Sequence, residues 1–461
     1  MELNMLLKTL RTCFYLNLAF WLPIVAMAEG DPLTLNAAGW LQYGQIGNST
    51  LTDTTKDING KSITATGAQI GVTKIVSENL IIKAGIGVIS MHALSSSLSG
   101  INAYAPMDRV PYVSEANFKY SFWNEDESAL FLRGGLLPFD YSNDNRNLGL
   151  YLLRGPVYPG IINSGFETKE VLPIANLLAL HLHHESKGFY QDLIISSETE
   201  QTPFFDISPA LIIGFKKEGL FDVSTGINAY HLIPIDDEVT NPTKGDVFFL
   251  DTARDSSGTA LIDSVFNYSG DTTFISYQGI KLMFRASFDI KGLIGDMGFL
   301  GVNDLKLYGE VAVIGLNEDK VHVELYGKLD KRMPMMLGFN IPVLGFLDHL
   351  TLEIEYYKAE FRDNLNGYNN SNTPTTPMPY KDKFEWLNKD DFKWSVHGEK
   401  VIKDHIKISF QVANDHYRPG IFKGYGDTYP RHRQTVMQRS PNSWKIFSAD
   451  WYWMTKVAYF F

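Results

Sequence analysis

Period-two alternation dominates this chain, and helical periodicity is hard to find. At 451–461, Trp451, Trp453, Thr455, Val457, Tyr459 and Phe461 share one face, and Tyr452, Met454, Lys456, Ala458 and Phe460 share the other. At 350–357, Leu350, Leu352, Ile354 and Tyr356 oppose Thr351, Glu353, Glu355 and Tyr357. Ile406, Ile408, Phe410 and Val412 likewise oppose His405, Lys407, Ser409 and Gln411. In 277–288, Ile280, Leu282, Phe284, Ala286 and Phe288 oppose Lys281, Met283, Arg285 and Ser287. One face wholly apolar and one partly charged fits a soluble sandwich. It equally fits a membrane barrel that turns its apolar face to lipid.

The connections separate the two readings. Short links at 77–79, 186–188 and 216–219 alternate with long polar ones at 47–65, 138–173, 232–271, 359–389 and 414–442. Short on one side and long on the other is the pattern of a membrane barrel, whereas a sandwich has no reason to sort its loops. Strands in one direction are expected at 35–45, 80–91, 129–137, 189–196, 221–231, 304–314, 349–358 and 405–412. Those in the other are expected at 67–75, 110–120, 175–185, 209–215, 277–288, 333–341, 391–398 and 451–461. The fold class is therefore all-β: a transmembrane, antiparallel, up-and-down barrel of about 16 strands, with 14 to 18 allowed because 247–250 and 444–448 could add strands. Gly219-x-x-Asp222, Gly301-x-x-Asp304 and Gly345-x-x-Asp348 each open a strand on the short-turn side and read as turn chemistry. The apolar links 292–303 and 341–349 could each hold a short interfacial helix.

Residues 1–28 read as a cleavable secretory signal. Lys8 and Arg11 precede an apolar run, and Ala26-Met27-Ala28 offers a small-x-small cleavage site. The remaining 29–461 then form a single barrel domain. Cys13, the one cysteine, would leave with the signal, so disulfides, thiolate metal sites and cysteine nucleophiles are not expected. Composition sharpens the picture. Aromatic residues make up 13 % of the chain, as suits rings at a membrane–water boundary. A net charge of −11 argues against nucleic acid as a partner. Lumen parity collects charges of both signs, among them Lys281, Arg285, Lys306, Glu310, Glu353, Glu355, Lys393, His397, Lys407 and Lys456. A lysine or arginine facing lipid at midplane would cost roughly 2–4 kcal/mol, so their shared parity argues for a wet interior.

The signal, the alternating strands, the sorted loops and the terminal Val457, Tyr459 and Phe461 resemble those of a Gram-negative outer-membrane porin. The resemblance covers 29–461 at the level of pattern. It implies export to the outer membrane, contact with outer-membrane lipid, and recognition of the terminal aromatic strand by the barrel-assembly machinery. A homotrimer is the assembly common in that family. The resemblance also implies that the loop after the fifth strand, here 138–173, folds inward and narrows the channel. On it Asp140, Asp144, Arg146 and Arg154 would face Lys281 and Arg285, with Lys306, Lys393 and Lys407 on neighbouring strands and Glu353 and Glu355 on the same lumen parity. Residues 148–153 are apolar enough for one helical turn in the lumen. Mixed signs on the loop leave the direction of any charge preference open.

The expected function is passive diffusion of small hydrophilic solutes or ions through a water-filled barrel. The alternative is a structural or adhesive surface protein whose long loops are the working part and whose lumen is closed. No cofactor, metal or catalytic set is expected. His181 and His183 share a strand face and could clamp a metal about 6–7 Å apart. His184 points the other way, however, and the sequence identifies no further ligand beyond Glu185 beside them.

Overall fold

A computed structural model describes residues 33–48, 60, 62–92, 108–125, 127–142, 144–153, 175–197, 205–237, 252–254, 260–262, 278–295, 299–316, 329–357, 392–414 and 451–461. Its strands are β1 (Thr34–Asn48), β2 (Ser62–Ser77), β3 (Leu80–His92), β4 (Asp108–Glu125), β5 (Ser128–Phe139), β6 (Ala175–Ser186), β7 (Phe189–Ser197), β8 (Ile207–Lys217) and β9 (Phe221–Tyr230). They continue with β10 (Thr252–Arg254), β11 (Ala260–Ile262), β12 (Gly279–Asp289), β13 (Lys306–Val313), β14 (Met335–Asn340), β15 (His349–Tyr356), β16 (Phe392–Ile402), β17 (Ile406–Ala413) and β18 (Trp451–Phe460). Sixteen of them close into one antiparallel barrel, each beside its chain neighbour, and β18 returns to pair with β1.

All sixteen barrel strands lie where the alternation places them. The additional pair, β10 and β11, forms a two-stranded antiparallel sheet of its own inside the long 232–271 connection, a few residues beyond the 247–250 segment that could add a strand. The two doubtful segments 247–250 and 444–448, the leader 1–28 and Arg154 lie outside the described residues. In the link after β12 a single helical turn, α1 (Lys291–Ile294), is present, whereas 341–348 is made of turns and bends alone.

The pleat carries the sorting of side chains. On β15, His349, Thr351, Glu353 and Glu355 are buried while Leu352 and Tyr356 are exposed. On β12, Lys281 and Arg285 are buried while Leu282, Phe284 and Phe288 are exposed. Charged residues inside and apolar residues outside is an inversion of a soluble protein. Outward rings gather at both rims. At the short-turn rim Phe221 lies 5.9 Å from Phe215 and 6.4 Å from Phe288, Tyr120 lies 5.1 Å from Phe122, and Tyr459 lies 4.5 Å from Phe461. At the opposite rim Tyr43 packs edge-on against Trp453 at 5.7 Å. Amphipathic rings at two levels with an apolar band between them form the girdles of a membrane barrel.

Glycines opposite aromatic residues bind neighbouring strands. The Tyr308 ring lies over Gly338, its direct cross-strand partner, so closely that an added Cβ would come within 2.2 Å of the ring. Tyr190 over Gly214 and Trp40 over Gly67 repeat the arrangement. The missing side chain makes room for the ring, and the ring covers backbone that glycine leaves bare. Gly338→Val must therefore displace Tyr308. Overpacking of this kind costs about 1–3 kcal/mol. The temperature at which the barrel loses its folded gel mobility should fall in Gly338→Val, and should change little in Gly39→Ala, where the nearest atom to an added Cβ is 3.9 Å away.

Candidate functional site

β5 delivers the chain to the lumen. Gly135 has φ +115, and a Cβ there would meet the Ala116 carbonyl oxygen at 2.2 Å, so only glycine makes this bend. Three residues later Pro138 and Phe139 end the strand, and 140–142 and 144–153 lie across the interior of the barrel. Leu148, Tyr151 and Leu152 are fully buried there, against Ile194, Ile212, Met283 and Ala312 on the lumen faces of β7, β8, β12 and β13. Burying such side chains contributes about 1.5–3 kcal/mol each.

Two wall carboxylates hold this segment. Glu353 on β15 accepts three successive backbone N–H groups, from Arg146 (2.7 Å), Asn147 (2.9 Å) and Leu148 (2.8 Å), and also the Tyr308 hydroxyl (2.8 Å). Glu310 on β13 accepts the backbone N–H groups of Leu150 (2.8 Å) and Tyr151 (2.7 Å), the Asn145 amide (3.0 Å) and the Tyr141 hydroxyl. Burial, with the Glu310 carboxylate beside the hydroxyl, pushes the Tyr141 phenol well above its ordinary range. In return, Lys281 donates to the Tyr151 carbonyl (2.9 Å) and Asn228 to the Leu152 carbonyl (3.2 Å). The helical turn expected at 148–153 does not form. Gly149 and Leu150 adopt positive φ, 79° and 59°, and aim their neighbours' N–H groups at the wall carboxylates instead of along a helix axis.

The other sequence-predicted residues divide between loop and wall. Asp140 accepts the Ser142 N–H at 3.1 Å, and Asp144 lies 3.5 Å from the Lys306 ammonium. Glu355 accepts the Tyr151 hydroxyl at 2.9 Å and stands directly across from the fully buried Lys393. Arg285 does not face the loop's acids as a free cation, because it forms an ion pair with Asp222 on β9 (2.7 Å). Lys407 is likewise paired, with Glu399 at 2.6 Å. Asp222 also corrects the reading of the Gly-x-x-Asp repeat. Asp304 caps its turn by accepting the Gly301 N–H (2.8 Å), and Asp348 accepts the Val401 N–H, but Asp222 points into the lumen toward Arg285 and the Tyr190 hydroxyl. Val457, Tyr459 and Phe461 face outward, next to the β1–β18 closure.

A row of cations on the far wall was not recognised in the sequence. Lys119 on β4 lies directly opposite Arg133 on β5, and Lys83 on β3 lies one pair further along on the same face. Lys83 and Arg133 both act electrostatically on Lys119, and Glu115 acts on Arg133. The contacts of the row are soft: Lys119 lies 4.2 Å over the Phe131 ring and Arg133 reaches the Pro138 carbonyl at 3.4 Å. Like charges directly opposite one another destabilise a sheet. Parity alone would have put these three on the lumen face, but only register reveals that they adjoin. Next to the row, β7 supplies what the sequence could not assign to the histidines. Asp192 Oδ1 lies 2.7 Å from both His181 Nε2 and His183 Nδ1, while His184 turns outward toward Trp123. A second cluster of potential ligands is His349, His397 and Glu399.

No protein-family model matches the chain, and no curated protein matches it either. Among solved structures it is similar to a triple mutant of Rh. blastica porin, at 8 % identity over 93 % of this chain and 100 % of that one, with a TM-score of 0.43. A double mutant of the same porin matches at 8 % identity over the same shares, with a TM-score of 0.42. What the lumen can do follows from its own side chains.

Removing Glu353 tests the anchoring. Glu353→Ala strands three N–H donors, two of them buried and that of Arg146 partly so, each worth about 1–3 kcal/mol when buried and unpaired. Amide exchange at Arg146, Asn147 and Leu148 should accelerate at least about tenfold, the factor that 1.4 kcal/mol represents. Glu353→Gln, which keeps an acceptor oxygen, should fall between the variant and the natural protein.

Proposed function

We propose that the protein is an outer-membrane channel through which small hydrophilic solutes or ions diffuse passively. The observation that carries this reading is the inversion of the barrel. Its outward face is an apolar band between aromatic girdles, and its inward face bears lysine, arginine, glutamate and histidine side chains on most strands. An adhesive protein needs the apolar exterior but has no use for a charged interior. Closure leaves no unpaired strand edge, so the barrel can stand in hydrocarbon. A leader such as 1–28 would route the chain to that membrane, and the outward Val457, Tyr459 and Phe461 would serve as its assembly signal.

The described part of the loop after β5, 140–142 and 144–153, acts in this reading as the constriction. Charge selection comes from an asymmetry across it. The carboxylates Glu310 and Glu353 are consumed in holding the loop, and Arg285 and Lys407 are paired with acids. Lys83, Lys119 and Arg133 are left facing the lumen, three cations with contacts to a ring and a carbonyl and with Glu115 acting on Arg133. A permeant passing between loop and wall would therefore meet net positive charge, which favours anions.

Single-channel recording in a planar bilayer tests the reading. Protein with the heat-dependent gel mobility of a folded barrel should give steady current steps, and the reversal potential in a salt gradient should have the sign of anion preference. Lys119→Glu with Arg133→Glu should move that potential toward cations. A folded barrel that passes no current would sink the channel and favour the adhesive alternative.

A further inference from the structure

Next to the cationic row, the lumen wall carries a side-chain cluster that conduction does not require. We propose that His181, His183 and Asp192 form a binding site for a first-row transition-metal ion of the Zn²⁺, Ni²⁺, Cu²⁺ or Co²⁺ class. His181 and His183 are two residues apart on β6 and so project from the same face, and Asp192 on β7 is the direct cross-strand partner of His183. The three ligand atoms converge on one point. His181 Nε2 and His183 Nδ1 each lie 2.7 Å from Asp192 Oδ1, and one ligand atom from each of the three residues lies within 4.8 Å of the other two. Metal–nitrogen and metal–oxygen bonds of about 2.0–2.2 Å place neighbouring ligand atoms about 3 Å apart. The side chains therefore need only small displacements to admit an ion in place of the protons they share.

The surroundings hold the ligands ready. The His183 ring is stacked on Phe131 at 4.6 Å, and the His181 ring is met edge-on by Phe139 at 5.1 Å. Behind His183, Nε2 lies 3.7 Å from Glu185 Oε2, and Glu185 is pinned by Lys216 at 2.7 Å. A carboxylate behind a ligating imidazole fixes its tautomer and raises its basicity. His181 and Asp192 are mostly buried, but His183 retains 17 % of its side-chain exposure on the lumen side, which leaves an approach.

The donor set also indicates the kind of ion. Two imidazoles and one carboxylate suit borderline first-row ions, whereas Ca²⁺ and Mg²⁺ need oxygen-rich cages. Arg133 lies directly opposite His181 and adds a positive charge, which further disfavours a hard cation bound by charge alone. The cluster of His349, His397 and Glu399 is the weaker candidate. Its carboxylate already holds the Lys407 ammonium at 2.6 Å, and Arg146 acts on both histidines.

Co²⁺ titration of the protein folded in detergent tests the site without reference to conduction. Saturable visible absorption at about one equivalent, displaced by Zn²⁺, is the expected result. It should be lost in His183→Ala and in Asp192→Asn, retained in His349→Ala, and weakened about tenfold in Glu185→Gln. Absence of saturable absorption, or its persistence in His183→Ala, would overturn the assignment. Should those variants fail to fold, Cu²⁺ and ascorbate footprinting of the natural protein reads the same question. Oxidation concentrated at His181 and His183 supports the site, and oxidation at His349 and His397 or scattered over the histidines refutes it.

Discussion

A strand edge cannot be left bare in hydrocarbon, and the pairing of β18 with β1 is what removes the last one. Most other features follow from that closure. A closed sheet has an inside and an outside instead of a buried and a wet face, so the two-residue period of the strand becomes a sorting device. Leu352 and Glu353 are chain neighbours, yet one faces outward and the other accepts four hydrogen bonds inside. Closure also supplies a stability that owes nothing to a single apolar centre, so cross-strand packing such as Tyr308 over Gly338 takes over that role.

The interior then meets a second constraint, because buried charge and buried backbone both need partners. A loop drawn into a lumen carries unpaired N–H groups, and a wall carboxylate facing inward carries unpaired lone pairs. Glu310 and Glu353 resolve both needs together, taking five backbone N–H groups from 146–151 between them. The apolar side chains of the same stretch fill the space between those anchors. Polar fixing and apolar filling are interleaved along the loop, which is why its sequence resembles neither a solvated loop nor a helix.

The fold was legible in the sequence to the level of individual strands because alternation is a local property, and Trp451–Phe460 shows it without reference to any other residue. Parity also puts Lys281, Glu353 and Lys393 on one side of the sheet, and all three are buried. What parity cannot supply is register. Whether Lys119 adjoins Arg133, or Asp192 adjoins His183, depends on turns of two or three residues and on bulges such as the one at Ser121/Trp123. A single-residue slip would exchange lumen for lipid in every such pair. The pairing of Arg285 with Asp222 was hidden for the same reason, since a Gly-x-x-Asp repeat is indistinguishable from turn chemistry until the partner strand is known.

Register is also where the lumen acquires an electrostatic direction. Opposite charges adjoin elsewhere in the lumen: Lys306 with Asp144, Arg285 with Asp222, and Lys407 with Glu399. Such pairs neutralise one another at short range and contribute little field at the distance of a solute. Like charges adjoin on β3, β4 and β5, an arrangement that costs stability in a sheet and adds constructively at a distance. A fold selected for stability alone would place an acid across from Arg133. The chain places Lys119 there, and then the imidazoles of His181 and His183 on the next strand. This wall thus trades sheet stability for inward-facing cations and imidazoles, while the opposite wall pairs its charges with one another or with the loop.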